Sequence, residues 1–364
     1  MSKTDSIQDV FIENGILVQL STMGHEQVLF CNDSKTGLKA IIAVHNTVLG
    51  PALGGTRMWQ YATEAEALRD VLRLSRGMSY KNSISGLDLG GGKAVIIGNS
   101  HTMKSDALFQ KFGQFVNGLA GKYITAEDVG ISPADMVQVS KETKYVVGLP
   151  GKSGDPSPVT AYGVYMGMKA CAKMQFGSDS LQGKRVAVQG VGHVGEYLVK
   201  HLTQEGAKVI ITDIFEETLR NVANTYGAEV VAPNDIYDVP MDIYAPCALG
   251  ATINDDTLSR LTCSIIAGAA NNQLADENKH GLEVMQKGIL YAPDYALNAG
   301  GVINCFSEVS GLSLDWAHKK AEEIYATIHT ILQRSKDEQT PTFSIANRMA
   351  EERIEAKGSL NLAH

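Results

Sequence analysis

Apolar residues recur along the chain in two periods, one near two residues and one near three and a half. The runs Gln27–Cys31 and Leu38–His45 are rich in Val, Ile and Leu and are separated by the turn residues Asn32-Asp33-Ser34; they predict two strands. Gly50–Arg57 (GPALGGTR) reads as a loop from its glycine and proline content. Thr63, with Glu66 three residues on, is a capping-box pattern. It opens a helix whose apolar face is Ala65, Leu68, Leu72, Ser75 and Met78, with Lys81 just past its end. Ala94–Ile97 reads as a buried strand, entered through a turn at Gly90–Lys93. A helix over about Ser105 to Leu119 places Leu108, Phe112, Phe115 and Leu119 at helical spacing, as core residues. Tyr123–Gly130 (YITAEDVG) reads as a short strand ending in two acids and a glycine. Ser132-Pro133 supplies an N-cap and a first-turn proline for another helix.

The composition changes at Gly148–Pro158, rich in glycine and proline, which reads as a hinge. Beyond it a helix runs over about Thr160 to Met174, then a strand over Arg185–Gln189. Gly190-Val191-Gly192-His193-Val194-Gly195 follows and leads into a helix with Val194, Leu198 and Leu202 on one face. The next strand, Lys208–Thr212, ends in Asp213. Further strands at Glu229–Val231, Asp242–Ala245, Ser264–Gly268 and Gly288–Ala292 alternate with helical segments, which predicts a parallel sheet covered on both faces. A long helix, about Leu314 to Gln333, carries Ala317, Ala321, Ile324, Ile328, Ile331 and Leu332 and reads as packing back toward the first domain. Pro341 interrupts the pattern; one more helix and a polar, mobile tail close the chain.

A length of 364 residues suits two domains. A net charge of −8 argues against nucleic-acid or anionic-membrane partners. Five cysteines, with no Cys-x-x-Cys pair, suit a reducing cytoplasm and no structural zinc, and the histidines show no metal-binding spacing. The N-terminus lacks a leader pattern, and Gly15–Leu20 is too short to span a membrane.

Chemistry enters at three places. Lys81, in Arg76–Asn82 (RGMSYKN), and Lys93, at the end of a triple glycine, are candidates for holding a substrate carboxylate and for acid–base work respectively. A phosphate-cradling P-loop is excluded: Leu87 stands where it needs glycine and Ala94 where it needs Ser or Thr. Asp128 is a candidate proton carrier, with an ordinary turn aspartate as the alternative. The glycine fingerprint has a strand before it, a helix after it and Asp213 where a ribose 2′-hydroxyl would be bound, so it points to a dinucleotide. Asp213 would repel the extra phosphate of NADP, and Ile214-Phe215-Glu216-Glu217 offer no arginine, which favours NAD. Asn271-Asn272 and Asn298 lie just beyond strand ends, where ligands of such sheets bind.

These blocks together resemble the glutamate/leucine/phenylalanine/valine dehydrogenase family, over about Gly24 to Arg353. The carriers are Gly50–Trp59, Arg76–Asn82, Gly90–Ile96, Ile124–Gly130, Pro156–Gly163, Pro246–Gly250 and Asn298–Asn304. The resemblance implies an α/β fold with an N-terminal substrate-binding and oligomerisation domain (1–147), a Rossmann-type doubly wound NAD domain (148–340), a cleft between them, and a C-terminal helix and tail (341–364) returning toward the first. It implies NAD-dependent oxidative deamination of an L-amino acid to a 2-oxo acid and ammonia, and the reverse. Lys81 matches the lysine that binds the substrate carboxylate, Lys93 the catalytic lysine, Asp128 the aspartate that moves protons at the amine, and Asn298 an asparagine near nicotinamide and substrate. Thr160 joins Gly190–Gly195, Asp213, Asn271 and Asn298 in the cofactor set. The family also implies a homo-oligomer, typically an octamer for its leucine-specific members, with a dimer as the smaller alternative.

Leu53 stands where glutamate-specific members place a lysine, which disfavours an acidic substrate. Leu53, Gly54, Met78 and Ala126 would form an apolar pocket for leucine, isoleucine or valine. Val147, His193 and Ala321 depart from the leucine-specific pattern, and a small Ala321 would enlarge the pocket, so phenylalanine or tryptophan is the second reading. A hydroxy-acid dehydrogenase would want a His–acid pair and an arginine rather than two lysines. A non-catalytic NAD-binding protein would be expected to lack the Lys81, Lys93 and Asp128 set.

Overall fold

The computed structural model of the chain describes residues 15–152 and 154–362. It divides into two compact units, Met1–Gly154 with Ala350–His364, and Asp155–Met349. The unit boundary lies inside the glycine- and proline-rich stretch.

In the first unit, helix α1 (Ile16–Met23) precedes strands β1 (Gln27–Asp33), β2 (Leu38–Asn46) and β3 (Ala52–Trp59). Helix α2 (Glu64–Ile84), strand β4 (Gly90–Ile97), helix α3 (Asp106–Gly118), strand β5 (Tyr123–Glu127) and helix α4 (Pro133–Ser140) follow. The sheet order is β1-β2-β4-β3-β5. β1, β2 and β4 pair antiparallel, while β3 runs parallel to both β4 and β5. The two-residue period sorts the side chains to opposite faces. Ile41, Ala43 and Val95 pack under α2 with Ala67, Leu68, Val71 and Leu72. Ala40, Ile42, Ala94 and Ile96 pack against Leu108, Phe109 and Phe112 of α3.

The second unit holds helix α5 (Ser157–Phe176), strand β6 (Arg185–Gln189), helix α6 (His193–Gln204), strand β7 (Lys208–Thr212), helix α7 (Glu216–Tyr226) and strands β8 (Glu229–Val230) and β9 (Ile243–Pro246). Helix α8 (Asp255–Arg260), strand β10 (Ile265–Ile266), helix α9 (Glu277–Gln286), strand β11 (Leu290–Tyr291) and helices α10 (Asp294–Leu297), α11 (Gly300–Val309) and α12 (Leu314–Glu338) complete it. Its sheet order is β11-β10-β9-β6-β7-β8, with every pair parallel. That is the doubly wound order, which reverses between β6 and β9. The last helix, α13 (Thr342–Leu362), begins in this unit and enters the first at Ala350. There Arg353 donates to the Leu87 carbonyl at 2.7 Å and pairs with Asp88 at 2.9 Å.

Several sequence expectations need correction. Gly50–Arg57 is not a loop through its length: from Ala52 it is the sheet strand β3, whose glycines let neighbouring backbones approach closely. Gly90–Lys93 is not a turn but the first half of β4. Lys81 lies in the last turn of α2 rather than beyond it. Ala65 is exposed, and Ala67 and Val71 take its place on the buried stripe. The long helix α12 packs along α5 within the second unit, with Ala321 fully buried. The expected tail is helical to Leu362, and residues 363–364 lie outside the described residues, as do the first fourteen, on which the leader reading rests. Among the described residues no helix is long and apolar enough to cross a membrane.

Candidate active site

Parallel strands β3 and β5 deliver their carboxyl ends side by side, and β4 lies on the other side of β3. Asp128 follows the last residue of β5. The turn that carries it is seated on β3 by a bond from Met58 N–H to the Val129 carbonyl at 2.9 Å. Lys93 Nζ lies 2.9 Å from Asp128 Oδ2, and the Lys93 side chain is only 8% exposed. A buried ammonium needs such a partner. Gly55 of β3 makes the room: a Cβ there would sit 2.5 Å from the Glu127 carbonyl oxygen and 3.0 Å from Asp128 Cβ. Burial is the largest influence on the Asp128 carboxyl and pushes it up. The Lys93 ammonium and then the Arg57 guanidinium, with hydrogen bonds from Lys93 and the Val129 N–H, outweigh it and hold the group below its ordinary range.

The end of α2 is fitted onto the glycine run. A Cβ on Gly91 would lie 2.1 Å from Ser79 N, so only glycine lets the helix sit this close to β4. Ser79 Oγ bonds His45 Nδ1 at 2.7 Å, and Ser75 Oγ bonds His25 Nε2 at 2.8 Å. This buried polar set fixes the turns that carry Met78 and Lys81. Met78 reaches toward Gly54, where a Cβ would lie 3.1 Å from Met78 Cγ. Leu53 is buried beside it in sequence and pairs across the sheet with Ile124, while Ala126 is half-buried at the end of β5. The Tyr123 hydroxyl donates to the Gly54 carbonyl at 2.7 Å. The structure thus brings Lys93, Asp128, Leu53, Gly54, Met78 and Ala126 to the adjoining strands β4, β3 and β5, the turn after β5 and the helix facing them.

In the second unit the fingerprint lies between β6 and α6. Gly190 has φ +97, and a Cβ there would strike Ala248 at 2.5 Å, just beyond β9. Gly192 caps α6 without a side-chain acceptor, and a Cβ on it would meet nothing within 4 Å. Gly192 and His193 are exposed, so the N-terminus of α6 borders open space and suits an anion, while Gly195 is buried against the Gly190 carbonyl. Asp213 follows β7; its carboxylate accepts from Val191 N–H at 2.8 Å and Phe215 N–H at 3.0 Å. Asn298 is buried and its amide donates to Asn271 Oδ1 at 2.7 Å and the Ala269 carbonyl at 2.9 Å. Thr160 of α5 lies against the start of α11, at Gly300 and Gly301. Gly190–Gly195 follow β6, where the strand order reverses; Asp213 follows β7, Asn271 lies beyond β10, and Asn298 caps α10 beyond β11. Asp255, His280 and Glu283 also converge, but His280 Nδ1 accepts from Asp276 N–H, Nε2 meets Asp255, and the Lys279 ammonium sits on Asp255 at 2.5 Å.

Residues 25–145 match the dimerisation domain of the Glu/Leu/Phe/Val dehydrogenases, and residues 151–214 and 210–358 match the glutamate/leucine/phenylalanine/valine dehydrogenase family itself. The chain belongs to this family. A leucine dehydrogenase of Geobacillus stearothermophilus is 57% identical over 339 residues, 92% of each chain. A valine dehydrogenase of Streptomyces virginiae is 48% identical over 94% of this chain and 98% of its own. The crystal structure of L-tryptophan dehydrogenase from Nostoc punctiforme superposes with a TM-score of 0.86 at 45% identity, covering 94% of this chain and 99% of that one. A glutamate dehydrogenase from Peptoniphilus asaccharolyticus, at 19% identity and a TM-score of 0.73, shares the fold. As a family member the protein is an amino acid dehydrogenase, an oxidoreductase that uses a nicotinamide cofactor.

Sequence reading gave no role to Arg57, Asp70 or Tyr61. Arg57 Nε donates to Asp128 Oδ2 at 3.1 Å, and Asp70 accepts from Arg57 at 3.0 Å and from the Tyr61 hydroxyl at 2.7 Å. The available signal was the spacing Gly55-Thr56-Arg57: on a strand, residues two apart share a face.

Proposed function

We propose that the protein catalyses NAD-dependent oxidative deamination of an apolar L-amino acid, with leucine, isoleucine and valine ahead of phenylalanine and tryptophan, and the reverse reductive amination. The observation that carries the reading is the ion pair between Lys93, buried within β4, and Asp128, just beyond β5. Substrate binding is assigned to the first unit and dinucleotide binding to the second.

In this reading Lys81 holds the substrate carboxylate, and Leu53, Gly54, Met78 and Ala126 contact an apolar side chain. Position 53 is leucine, so this set offers no lysine there for a distal carboxylate. The dinucleotide, when bound, supplies the acceptor for the hydride that leaves Cα. Lys93 polarises and deprotonates the water that adds to the resulting imino carbon. Asp128 takes up and returns protons at nitrogen, and the 2.9 Å contact gives a proton route between Nζ and Oδ2. The open N-terminus of α6 and Gly190–Gly195 suit the pyrophosphate, Asp213 the ribose, and Asn271, Asn298 and Thr160 the nicotinamide end. Asp213 is followed by Ile214-Phe215-Glu216-Glu217, with no cation to balance a 2′-phosphate, which favours NAD over NADP.

A homo-oligomer, octameric by family likeness, is proposed on the match of residues 25–145 to a dimerisation domain and on half-exposed Phe30 of edge strand β1. A cytoplasmic location is proposed from the free cysteines and composition. The test is NADH formation with leucine, isoleucine, valine, phenylalanine and tryptophan, with lactate as control. Highest kcat/KM on a branched-chain substrate is expected. An aromatic preference would move the reading to its second form, and turnover of lactate alone would overturn it.

A further inference from the structure

Asp128 is not held by Lys93 alone. Arg57 of β3 donates from Nε to Asp128 Oδ2, the oxygen that Lys93 approaches. Through Nη1 the same guanidinium donates to Asp70 Oδ2 on α2. Asp70 is itself held by the Tyr61 hydroxyl and by Arg73 at 3.2 Å. Arg57 therefore cannot turn away from Asp128 without breaking a second charge-assisted bond. Arg57, Asp70 and Asp128 are each no more than a quarter exposed, so water screens these charges only in part.

We propose that Arg57 is a positioning residue for the reaction: tethered by Asp70, its guanidinium fixes the ionised Asp128 carboxylate against Lys93. The inference rests on the roles proposed above for Lys93 and Asp128. Its physical reason is permanence. Lys93 must part with a proton during turnover, and at that moment it stops holding a carboxylate by charge. Arginine keeps its proton throughout. Arg57 thus keeps the Asp128 carboxyl in place when its other partner changes state, and its fixed charge favours return of any proton Asp128 takes up. The groups acting on Asp128 are Lys93 from β4, Arg57 from β3 and the Val129 N–H, with Asp70, Arg73 and Tyr61 behind Arg57; buried Tyr123 of β5 in turn feels the Asp128 charge.

The test compares pH profiles of kcat/KM for wild type, Asp128→Asn, Arg57→Gln and Arg57→Lys, with melting temperature measured alongside. Asp128→Asn should lose turnover. Arg57→Gln should lose about ten- to a hundredfold in kcat, with the acid limb of its profile moved to higher pH. Arg57→Lys, which keeps the cation, should return the limb toward its wild-type position. If Arg57→Gln does not fold, Asp70→Asn removes the tether instead, and kcat should fall with little change in KM. An inactive Asp128→Asn together with wild-type kcat and acid limb in folded Arg57→Gln, or wild-type kcat in Asp70→Asn, overturns the proposal. Wild-type turnover in Asp128→Asn overturns the site reading beneath it.

Discussion

Lys93 and Asp128 touch at one carboxylate oxygen, and the sheet places that contact by backbone geometry rather than by side-chain choice. Gly55 leaves the gap and the Met58 to Val129 bond seats the turn. Gly55→Ala should therefore displace Asp128 without touching any charged group. The expected result is a loss of kcat of about a hundredfold with about 1–3 kcal/mol of destabilisation, read from steady-state rates and urea unfolding. Unchanged kcat would mean that Asp128 need not sit where it does. The lysines and Asp128 stood out in the sequence because titratable groups beside glycines are unusual enough to ask about. Arg57 did not, because its role depends on which face of β3 it shares, and β3 had been read as loop.

Among the elements, the strongly periodic ones were legible: the strands Arg185–Gln189 and Lys208–Thr212 and the Thr63 and Ser132 caps stand where the pattern puts them, and Leu108 and Phe112 of α3 are core, while Phe115 is half-buried and Leu119 caps the helix. The two misread glycine stretches share one cause. In β3 and the start of β4, glycine serves close approach of backbones, not turning, and composition alone does not separate these uses. Gly91→Ala tests this: its Cβ would collide with Ser79 N and push the last turn of α2, with Lys81, off β4. KM for the amino acid should rise well beyond any change in NADH affinity; an unchanged KM would contradict the placement of Lys81. Gly190→Ala is the counterpart in the second unit, strained by its φ of +97 and by Ala248. It should raise the Kd for NADH, measured by fluorescence titration, and wild-type affinity would argue against the fingerprint as the pyrophosphate site.

For the molecule as a whole, pH enters through two histidines behind α2, buried His45 and half-buried His25. Burial, and next the neighbouring His45, lowers the His25 pKa to about 3; burial, and next Arg76, lowers that of His45 to about 4. In the unfolded chain both titrate near 6.5. The unfolded state therefore binds more protons between those values, and stability falls as pH drops from about 6.5 toward 4, being fully present above that window. Urea midpoints measured across the window should decline, and His45→Gln, though less stable at neutral pH, should show a flatter decline. A midpoint independent of pH would contradict the buried, uncharged state of the pair. The two-unit α/β plan was legible because strand and helix periods alternate so regularly. The course of α12 was not, since an apolar stripe states that a helix is buried but not against what.

The central claim is that buried Lys93 carries the acid–base step, and Lys93→Ala tests it most directly with kcat and the NADH Kd measured on the same preparation. The account predicts a wild-type Kd and a kcat lowered by about 10²–10⁴-fold. A wild-type Kd with near-wild-type kcat would contradict it.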